Sequence, residues 1–331
     1  MREFQHGGDV AGFAKEVGCS IDEVLDLSSN INFVKPNVNI DIAKLQFSGY
    51  PDYSLLLGAM ANFYKVSPNE ILLFNGANSA IYSLIDLLNP SHITLYSPIY
   101  LEYKRACRAF DIDYTLLNRD CIKKPKYKSL VVFVNPSTPD GRYYDIKPLL
   151  ELFTKQNCTI LIDESFIEFS DNDSAVRYLR DYKNLYILRS ISKYFGSAGV
   201  RVGAILSNSK NISNLNQKLP PFRVSNYDAI YSLEALQDKS FSKRSFEKNE
   251  ASREILLDIL KTSNIVDRVY PSVANFHLVK LKNIDAPTLQ ERLNRYRVMV
   301  RDCSNFDHLD SSYIRIALKE PKSMQILKEV F

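Results

Sequence analysis

The stretch LYILRSISKYFGSAGVRVG, residues 185–203, joins an apolar, β-branched run to a turn of small residues. Lys193 lies where the apolar run ends, close behind Ser190 and Ser192, and Arg201 follows eight positions later. An apolar run of this kind predicts a strand buried on both faces of a sheet. Taken alone, a lysine at the end of such a strand is more often a solvated loop residue than a nucleophile. Its role therefore has to be decided from the rest of the chain.

Short apolar runs alternate with amphipathic runs of helical length up to about residue 220. Strands that alternate with helices predict an α/β fold, with a mostly parallel sheet covered by helices on both faces. Several of the strand runs are nearly all apolar, as a sheet covered on both faces requires. The predicted strands lie in ILLFNGAN (71–78), HITLYSPIY (92–100), SLVVFVNPSTPDG (129–141), TILIDESF (159–166), LYILRSISK (185–193) and VGAIL (202–206).

The pattern changes after about Pro220, where long charged helical runs such as SFEKNEASREILLDILK (245–261) appear. Alternating strands, NFHLVKL (275–281) and YIRIALK (313–319), then flank a helical run that ends in RYRVMVRD (295–302). These features predict a smaller α+β domain. We therefore expect three parts: an N-terminal segment that joins the small domain (1–45), a large α/β domain (46–220) and the small C-terminal domain (221–331).

Bulk properties exclude several classes of protein. The 331 residues favour about two domains, and a net charge of +4 is too small and too dispersed for a typical nucleic-acid binder. Five widely spaced cysteines without a C-x-x-C and four histidines without an H-x-x-x-H predict no disulfide framework and no metal site. The N-terminus lacks an apolar signal region, and no apolar run approaches about 18 residues. We expect a cytoplasmic protein with no membrane span.

Polar residues collect where the predicted strands end. In an open parallel sheet the ligand lies outside the carboxyl ends of the strands, so these residues are the candidates for a binding site. Each of them has an ordinary structural explanation when taken singly, such as an N-cap or a core residue. They are Asn75, Gly76, Ala77, Asn78, Tyr100, Thr138, Asp163, Ser190, Ser192 and Lys193, with Arg201 just beyond.

Together these residues describe one chemical site. The Asn75–Asn78 turn, the two serines and Arg201 would bind a phosphate at the start of a helix. Tyr100 offers a flat face to a heteroaromatic ring, and a buried Asp163 would stay anionic opposite a cation such as a pyridinium nitrogen. Lys193 would form a Schiff base with an aldehyde. A phosphate, a flat protonated ring and an aldehyde together predict pyridoxal 5′-phosphate (PLP) as the cofactor.

Two other motifs fit less well. Ser190 and Lys193 have the S-x-x-K spacing of serine β-lactamases, but the K-T-G that accompanies it there is absent. A dinucleotide site needs G-x-G-x-x-G after a strand, and Gly196 and Gly199 are three positions apart.

The chain resembles the fold-type I PLP enzymes of the class I/II aminotransferase family over nearly its whole length. The family's S-x-S-K with an arginine eight residues on matches Lys193 and Arg201, and its D-E-[AS]-[FY] matches DESF (163–166). The resemblance implies a mostly parallel seven-stranded sheet, with Lys193 as the cofactor anchor and Asp163 as the partner of the ring nitrogen. It also implies that Tyr100 stacks on the ring and that Gly76, Ala77 and Asn78 hold its phosphate.

Within the family, the chain is similar to the branch that holds histidinol-phosphate aminotransferases and threonine-phosphate decarboxylases. HGGDVAGFAKEVGCSIDEVLDLSSNIN (6–32) and VRDCSNF (300–306) resemble segments of the decarboxylases. That resemblance implies that Arg315 binds the α-carboxylate of a small phosphorylated amino acid. It also implies that the substrate phosphate is held by His6, Asn30 and Arg301.

Tyr50, in the segment Tyr-Pro-Asp (50–52), is similar to a residue that reaches the cofactor phosphate of a neighbouring subunit. This similarity implies a homodimer with shared active sites.

Two positions depart from the aminotransferases of the branch. Thr138 replaces an asparagine, and Phe166 replaces a tyrosine, which both donate hydrogen bonds to the phenolic oxygen of the cofactor in those enzymes. These departures loosen the aminotransferase assignment. Because of the segments that resemble the decarboxylases, we expect a decarboxylase of O-phospho-L-threonine or O-phospho-L-serine, giving aminopropanol phosphate or ethanolamine phosphate. An aminotransferase of histidinol-phosphate type that uses 2-oxoglutarate is the alternative, and the sequence leaves both open.

Overall fold

A computed structural model describes residues 6–45 and 48–331. Its strands are β1 (Leu25–Asp26), β2 (Ile71–Phe74), β3 (Ile93–Ser97), β4 (Tyr114–Asn118), β5 (Leu130–Val134), β6 (Thr159–Asp163), β7 (Leu185–Ser190), β8 (Gly203–Leu206), β9 (Val266–Val269), β10 (Phe276–Leu281), β11 (Val298–Met299), β12 (Arg301–Asp302) and β13 (Tyr313–Ala317). Its α-helices are α1 (Val10–Val17), α2 (Ser54–Tyr64), α3 (Gly76–Leu88), α4 (Leu101–Ala109), α5 (Ile146–Lys155), α6 (Ile191–Tyr194), α7 (Ser209–Asn216), α8 (Asn226–Gln237), α9 (Phe241–Thr262), α10 (Ala286–Asn294) and α11 (Pro321–Met324).

The large sheet of the described chain has seven strands in the order β2-β8-β7-β6-β5-β3-β4. Strand β8 runs antiparallel to both of its neighbours, and the other adjacent pairs are parallel. The predicted α/β class and the mostly parallel seven-stranded sheet are confirmed. Because β3, β5, β6 and β7 are parallel, their carboxyl ends meet at one edge of the sheet.

Strand β5, LVVFV, shows why the apolar runs form this sheet. Its side chains alternate between two cores: Val131 and Phe133 pack into one, while Leu130, Val132 and Val134 pack into the other. A strand with both faces covered has no polar face, so the sequence alternation typical of half-exposed strands is absent.

A smaller sheet, in the order β12-β13-β10-β9, follows the long helix α9. All of its strand pairs are antiparallel, and it shares a core with α9 and α10. The predicted helical run through residue 302 is wrong at its end. Helix α10 stops at Asn294, and Arg297 takes a left-handed φ of 57°. Residues 298–299 then form β11, and residues 301–302 form β12. The alternating Val298 and Val300 favour a strand, since β-branched side chains pack well on a pleated surface.

The N-terminal segment is hydrogen-bonded to the smaller sheet. The backbone N–H of Ala317, in β13, donates to the carbonyl of Leu27 at 2.8 Å. Strand β1 also pairs in parallel with β11, in a separate two-stranded sheet. We propose that the chain divides after residues 45 and 220. The hydrogen bonds of the N-terminal segment and the change in sequence pattern after about Pro220 support this division. Among the described residues, no helix has the length and apolar character that crossing a membrane requires.

Candidate active site

A cavity of about 240 Å³ lies at the carboxyl ends of the parallel strands, beside the smaller sheet. It brings together residues that are up to 309 positions apart in the sequence, from His6 to Arg315. The predicted site residues that line it are His6, Asn30, Ala77, Asn78, Tyr100, Thr138, Asp163, Phe166, Ser190, Ser192, Lys193, Arg201, Arg301 and Arg315. Gly76 lies just outside this lining, and Tyr50 lies elsewhere on the surface of its own chain.

Lys193 is the third residue of the short helix α6, and it lines the cavity. Burial lowers the pKa of its amine to about 8, with the Asp163 charge opposing that change. The Nζ atom is 4.1 Å from the centre of the Phe166 ring and 5.8 Å from that of Tyr100. A buried amine with a lowered pKa is neutral more often at physiological pH than an ordinary lysine, and the neutral amine is the nucleophile.

Asp163 ends strand β6 and is only 4% exposed. Its Oδ2 accepts a hydrogen bond from the Tyr103 hydroxyl at 2.8 Å. Its Oδ1 accepts from the Ser165 hydroxyl at 2.6 Å and from the Ser165 backbone N–H at 3.0 Å. These donors stabilise a carboxylate, and so a negative charge, inside the site.

Sequence reasoning did not find Tyr103 or Ser165. A signal existed for both of them. Tyr103 is three positions after Tyr100, so the two rings share one face of a helix, and their rings lie edge to face with centroids 6.5 Å apart. Ser165 is two positions after an aspartate, the usual spacing of an Asx turn.

The start of α3 forms a cup with Arg201. Gly76 has a φ of 77°, and a Cβ on it would lie 2.4 Å from Nη2 of Arg201. A Cβ on Gly203 would lie 2.6 Å from the backbone nitrogen of Ala77. Both glycines are therefore needed for the close approach of Arg201 and β8 to the helix. The cup joins the free N–H groups of a 13-residue helix to a guanidinium, which is a phosphate-binding arrangement.

Tyr100, Ser190 and Ser192 also line the cavity. The Tyr100 hydroxyl donates to Oδ1 of Asn78 at 3.2 Å, which fixes the ring at the N-cap of α4. Burial raises the pKa of the Tyr100 hydroxyl, so it stays protonated. Ser192 donates to the carbonyl of Val200 at 3.1 Å, and this bond ties α6 to the turn before Arg201.

Arg315 on β13 is 6% exposed and faces the cavity. Its Nη1 donates to the Thr138 hydroxyl at 3.1 Å, and its Nη2 donates to the Ser28 carbonyl at 2.9 Å and to Oδ1 of Asn30 at 3.1 Å. Its Nε is buried without a hydrogen-bond partner. Burial lowers the pKa of Arg315 to about 10. Within residues 6–45 and 48–331 no carboxylate forms an ion pair with it.

Arg301 is the cross-strand partner of Arg315. Its Nη2 donates to Oδ1 of Asn305 at 2.7 Å, and its guanidinium lies 5.5 Å from the centre of the Phe306 ring. Burial lowers the pKa of Arg301 as well. Two guanidinium groups thus lie on neighbouring strands at the same cavity, although like charges repel each other. Asn305 and Phe306 also line the cavity, and sequence reasoning assigned them no role.

The chain belongs to the family described as aminotransferase class I and II, whose model matches residues 23–331. A bifunctional adenosylcobalamin biosynthesis protein, CobDQ, from Leptospira interrogans is 29% identical over 99% of this chain, which spans 40% of that protein's length. Threonine-phosphate decarboxylase from Salmonella typhimurium is 27% identical over 95% of this chain and 92% of its own.

Among solved structures, histidinol-phosphate aminotransferase from Clostridium acetobutylicum superposes with a TM-score of 0.84. It is 27% identical, and the match covers 93% of this chain and 98% of that one. The predicted family is confirmed. The chain is similar both to a protein named as a decarboxylase and to one named as an aminotransferase.

Membership of this family implies that PLP is the cofactor. The residues present fit the cofactor. Lys193 has a buried amine of lowered pKa for the aldehyde, and Asp163 is a buried carboxylate for the ring nitrogen. The Gly76 cup with Arg201 has the chemistry that binds a phosphate. Among the side chains described, no group of three or more His, Cys, Asp or Glu residues is arranged to hold a metal ion.

Proposed function

We propose that the protein is a PLP-dependent decarboxylase of a small O-phosphorylated amino acid, O-phospho-L-threonine or O-phospho-L-serine. The observation that carries the proposal is the cross-strand pair of Arg301 and Arg315 at the same cavity as Lys193. An O-phospho amino acid has two separate anionic groups, a carboxylate and a phosphate. Bidentate guanidinium groups suit both of them.

Arg315 is the better candidate for the carboxylate, because it is only 6% exposed and lines the same cavity as Lys193 and Thr138. Its buried guanidinium has hydrogen bonds only to neutral oxygens among the described residues. A buried cation without a counter-ion is costly, so a bound carboxylate would stabilise it. Arg301, with His6 and Asn30, is proposed to hold the phosphate.

When bound, PLP supplies a ring that takes up the electron pair left at the substrate's Cα. The protein's part is to bind, orient and move one proton. Arg315 holds the carboxylate, and so sets which bond at Cα faces the ring. The Lys193 amine would hold the proton that returns to Cα after CO2 leaves. Its pKa of about 8 suits proton transfer near neutral pH.

Two residues of the cavity depart from the pattern of the aminotransferases. Phe166, 4.1 Å from the Lys193 amine, has no hydroxyl to donate to the phenolic oxygen of the cofactor. The Thr138 hydroxyl accepts from Arg315 and is shorter than the asparagine of the aminotransferases. With fewer hydrogen-bond donors to the phenolic oxygen, the aminotransferase assignment is weaker. The likeness to the Salmonella threonine-phosphate decarboxylase supports the decarboxylase.

A second candidate is an aminotransferase of histidinol-phosphate type. The observation that favours it is the likeness to the Clostridium acetobutylicum aminotransferase, at a TM-score of 0.84. Such an enzyme would use the same phosphate site for its amine substrate and Arg315 for the carboxylate of glutamate.

The release of CO2 distinguishes the two activities. The PLP-loaded protein is expected to release CO2 from O-phospho-L-serine or O-phospho-L-threonine in the absence of any oxo acid, since decarboxylation needs no acceptor. The measurement is a coupled CO2 assay, with product amine phosphates identified by mass spectrometry. Turnover that requires 2-oxoglutarate and releases no CO2 would establish the aminotransferase instead. Unphosphorylated L-serine and L-threonine serve as controls for the role of the phosphate.

We also propose that two copies of this chain form a dimer with shared active sites. Tyr50 is 81% exposed and stacks on Phe222, with ring centroids 4.4 Å apart, and Leu55 nearby in sequence is 75% exposed. Large exposed apolar side chains of this kind favour an interaction surface. Light scattering is expected to give about twice the chain mass of 37.9 kDa, and Leu55→Asp is expected to lower it. A wild-type mass of one chain at micromolar concentration would contradict the dimer.

A further inference from the structure

Helix α4 contacts two segments that come from distant parts of the chain and meet at the cavity. Its N-cap, Tyr100, lines the cavity. In its first turn, Glu102 binds His6 of the N-terminal segment, and Lys104 binds Asp307 of the loop that follows β12. Both side chains are largely buried, which is unusual for charged residues near a helix start and calls for a specific role.

Both carboxylate oxygens of Glu102 accept hydrogen bonds. Oε1 accepts from Nε2 of His6 and from Nη1 of Arg105, each at 2.8 Å, and Oε2 accepts from the Tyr82 hydroxyl at 3.1 Å. Burial opposes the charge, but these hydrogen bonds outweigh it and hold the pKa of Glu102 below its ordinary value. A charged acceptor therefore fixes the His6 imidazole beside the Tyr100 ring, 5.3 Å from its centre.

The hydrogen bond to Glu102 engages only one nitrogen of the His6 ring. The other nitrogen, Nδ1, has no hydrogen-bond partner in the part of the chain that the structure describes. A carboxylate hydrogen-bonded to Nε2 fixes the ring and leaves Nδ1 for a ligand. In metal-binding and catalytic histidines, a hydrogen bond to one ring nitrogen orients the other nitrogen in the same way. His6 is itself part of the cavity lining.

Lys104 fixes the second segment. Its Nζ donates to Oδ1 of Asp307 at 2.8 Å, with side-chain exposures of 11% and 17%. One residue further on, Nε2 of His308 lies 3.0 Å from the hydroxyl of the buried Ser97, at the end of β3. The loop after β12 is thus bound to the large sheet and to α4 at two adjacent positions.

This loop carries the residues that hold Arg301. Asn305 accepts a hydrogen bond from Arg301 at 2.7 Å, and the Phe306 ring packs against the guanidinium. Fixing the loop through Asp307 therefore fixes the two side chains that set the position of Arg301. A site that is rigid before the substrate arrives loses less side-chain freedom on binding.

We propose that Glu102 and Lys104 are positioning residues for the phosphate of the substrate. Glu102 orients His6, and Lys104 holds the loop that orients Arg301. This inference rests on the proposed function, in which His6 and Arg301 bind that phosphate. Neither Glu102 nor Lys104 lines the cavity, so both act through other residues.

The test compares two amines that differ only in the phosphate. Calorimetry of the PLP-loaded protein measures the affinity for O-phosphoethanolamine and for ethanolamine. Glu102→Ala and Lys104→Met are each expected to weaken O-phosphoethanolamine binding by about 10- to 100-fold and to leave ethanolamine binding unchanged. With O-phospho-L-serine as substrate, KM is expected to rise by more than kcat falls, and the absorption spectrum of the bound cofactor stays as in the wild type.

Matched variants separate positioning from a general effect on the fold. Glu102→Gln keeps the oxygen that accepts from His6 and Arg105, and its amide can donate to Tyr82, so it is expected to bind within about threefold of the wild type. Glu151→Ala and Lys155→Met alter exposed residues of α5 and are expected to have no effect.

Two results would overturn the inference without touching the proposed function. One is an affinity for O-phosphoethanolamine that stays at the wild-type value in both Glu102→Ala and Lys104→Met. The other is an equal loss of affinity for O-phosphoethanolamine and for ethanolamine. A wild-type protein that binds the two amines equally would instead overturn the proposed function, and the inference with it.

Discussion

Lys193→Ala is expected to lower kcat by about a thousandfold or more, the largest effect of any single change in this protein. In the proposed mechanism the lysine would be both the covalent anchor of the cofactor and the carrier of the proton at the substrate's Cα. In the wild type, mass spectrometry after borohydride reduction is expected to find PLP on the peptide that contains Lys193. The variant is expected to lose this label and the visible absorption of the bound cofactor, while still binding PLP non-covalently through the Gly76 cup and Arg201.

Lys155→Ala, on the exposed side of α5, is the matched control and is expected to keep both the label and the activity. A small amine such as methylamine, added to Lys193→Ala, is expected to restore part of the turnover, because it replaces the missing proton carrier. A colourless wild-type protein that ignores added PLP would contradict the cofactor role of the site.

The pH dependence of cofactor capture tests the same lysine. Burial lowers the pKa of Lys193 from the ordinary 10.5 to about 8. Only the neutral amine attacks the aldehyde, so the capture rate is expected to rise with pH and to level off above about pH 8. Stopped-flow absorbance of the cofactor-free protein mixed with PLP measures this rate. A rate that keeps rising towards pH 10 would show that the amine is solvated like an ordinary lysine.

Arg315→Ala is expected to lower kcat/KM for the phosphorylated amino acid by about two to three orders of magnitude. The change removes the guanidinium that would bind the carboxylate, and it leaves Thr138 and Asn30 without their donor. PLP affinity is expected to change little, because Arg315 lies on the smaller sheet and not in the cup that the start of α3 forms with Arg201. Steady-state kinetics and titration of the cofactor-free protein with PLP measure the two effects separately.

Arg315→Lys is the informative comparison for this position. It keeps the charge and loses the fork of donors, so its kcat/KM is expected to lie between those of the wild type and the alanine variant. An unchanged KM in Arg315→Ala would contradict the carboxylate role. Equal losses of substrate and PLP binding would point to a role in the fold instead.

The residues that end parallel strands were predictable from the sequence. Asp163 and Lys193 each follow an apolar run, and a parallel sheet necessarily brings such positions to one edge. Arg301 and Arg315 were predictable only through the family, because their meeting depends on the pairing of β12 with β13. The spacing of residues 298–302 also fits a helix, which is why the helical prediction there was wrong.

The contacts between distant side chains had no signature in the sequence. Tyr103 and Asp163 are 60 residues apart, and His6 and Glu102 are 96 residues apart. Their meeting depends on how α4 packs against the sheet and the N-terminal segment, and local propensity contains no information about that packing. From the sequence alone, a charged residue such as Glu102 in a helical run is predicted to lie on the solvated face of the helix.

The pairing of the N-terminal segment with the smaller sheet has a consequence for the order of events during synthesis. Lys319 donates to the carbonyls of Ser29 and Ile31, each at 3.2 Å, and Arg315 reaches Asn30, which was made 285 residues earlier. The backbone N–H of Asn32 in turn donates to the carbonyl of Lys193 at 3.0 Å. The large sheet can begin to fold on the ribosome, since domains generally fold as units during translation. Arg315 follows every other residue of the cavity lining in the chain, so the cavity can be complete only after almost the whole chain has been synthesised.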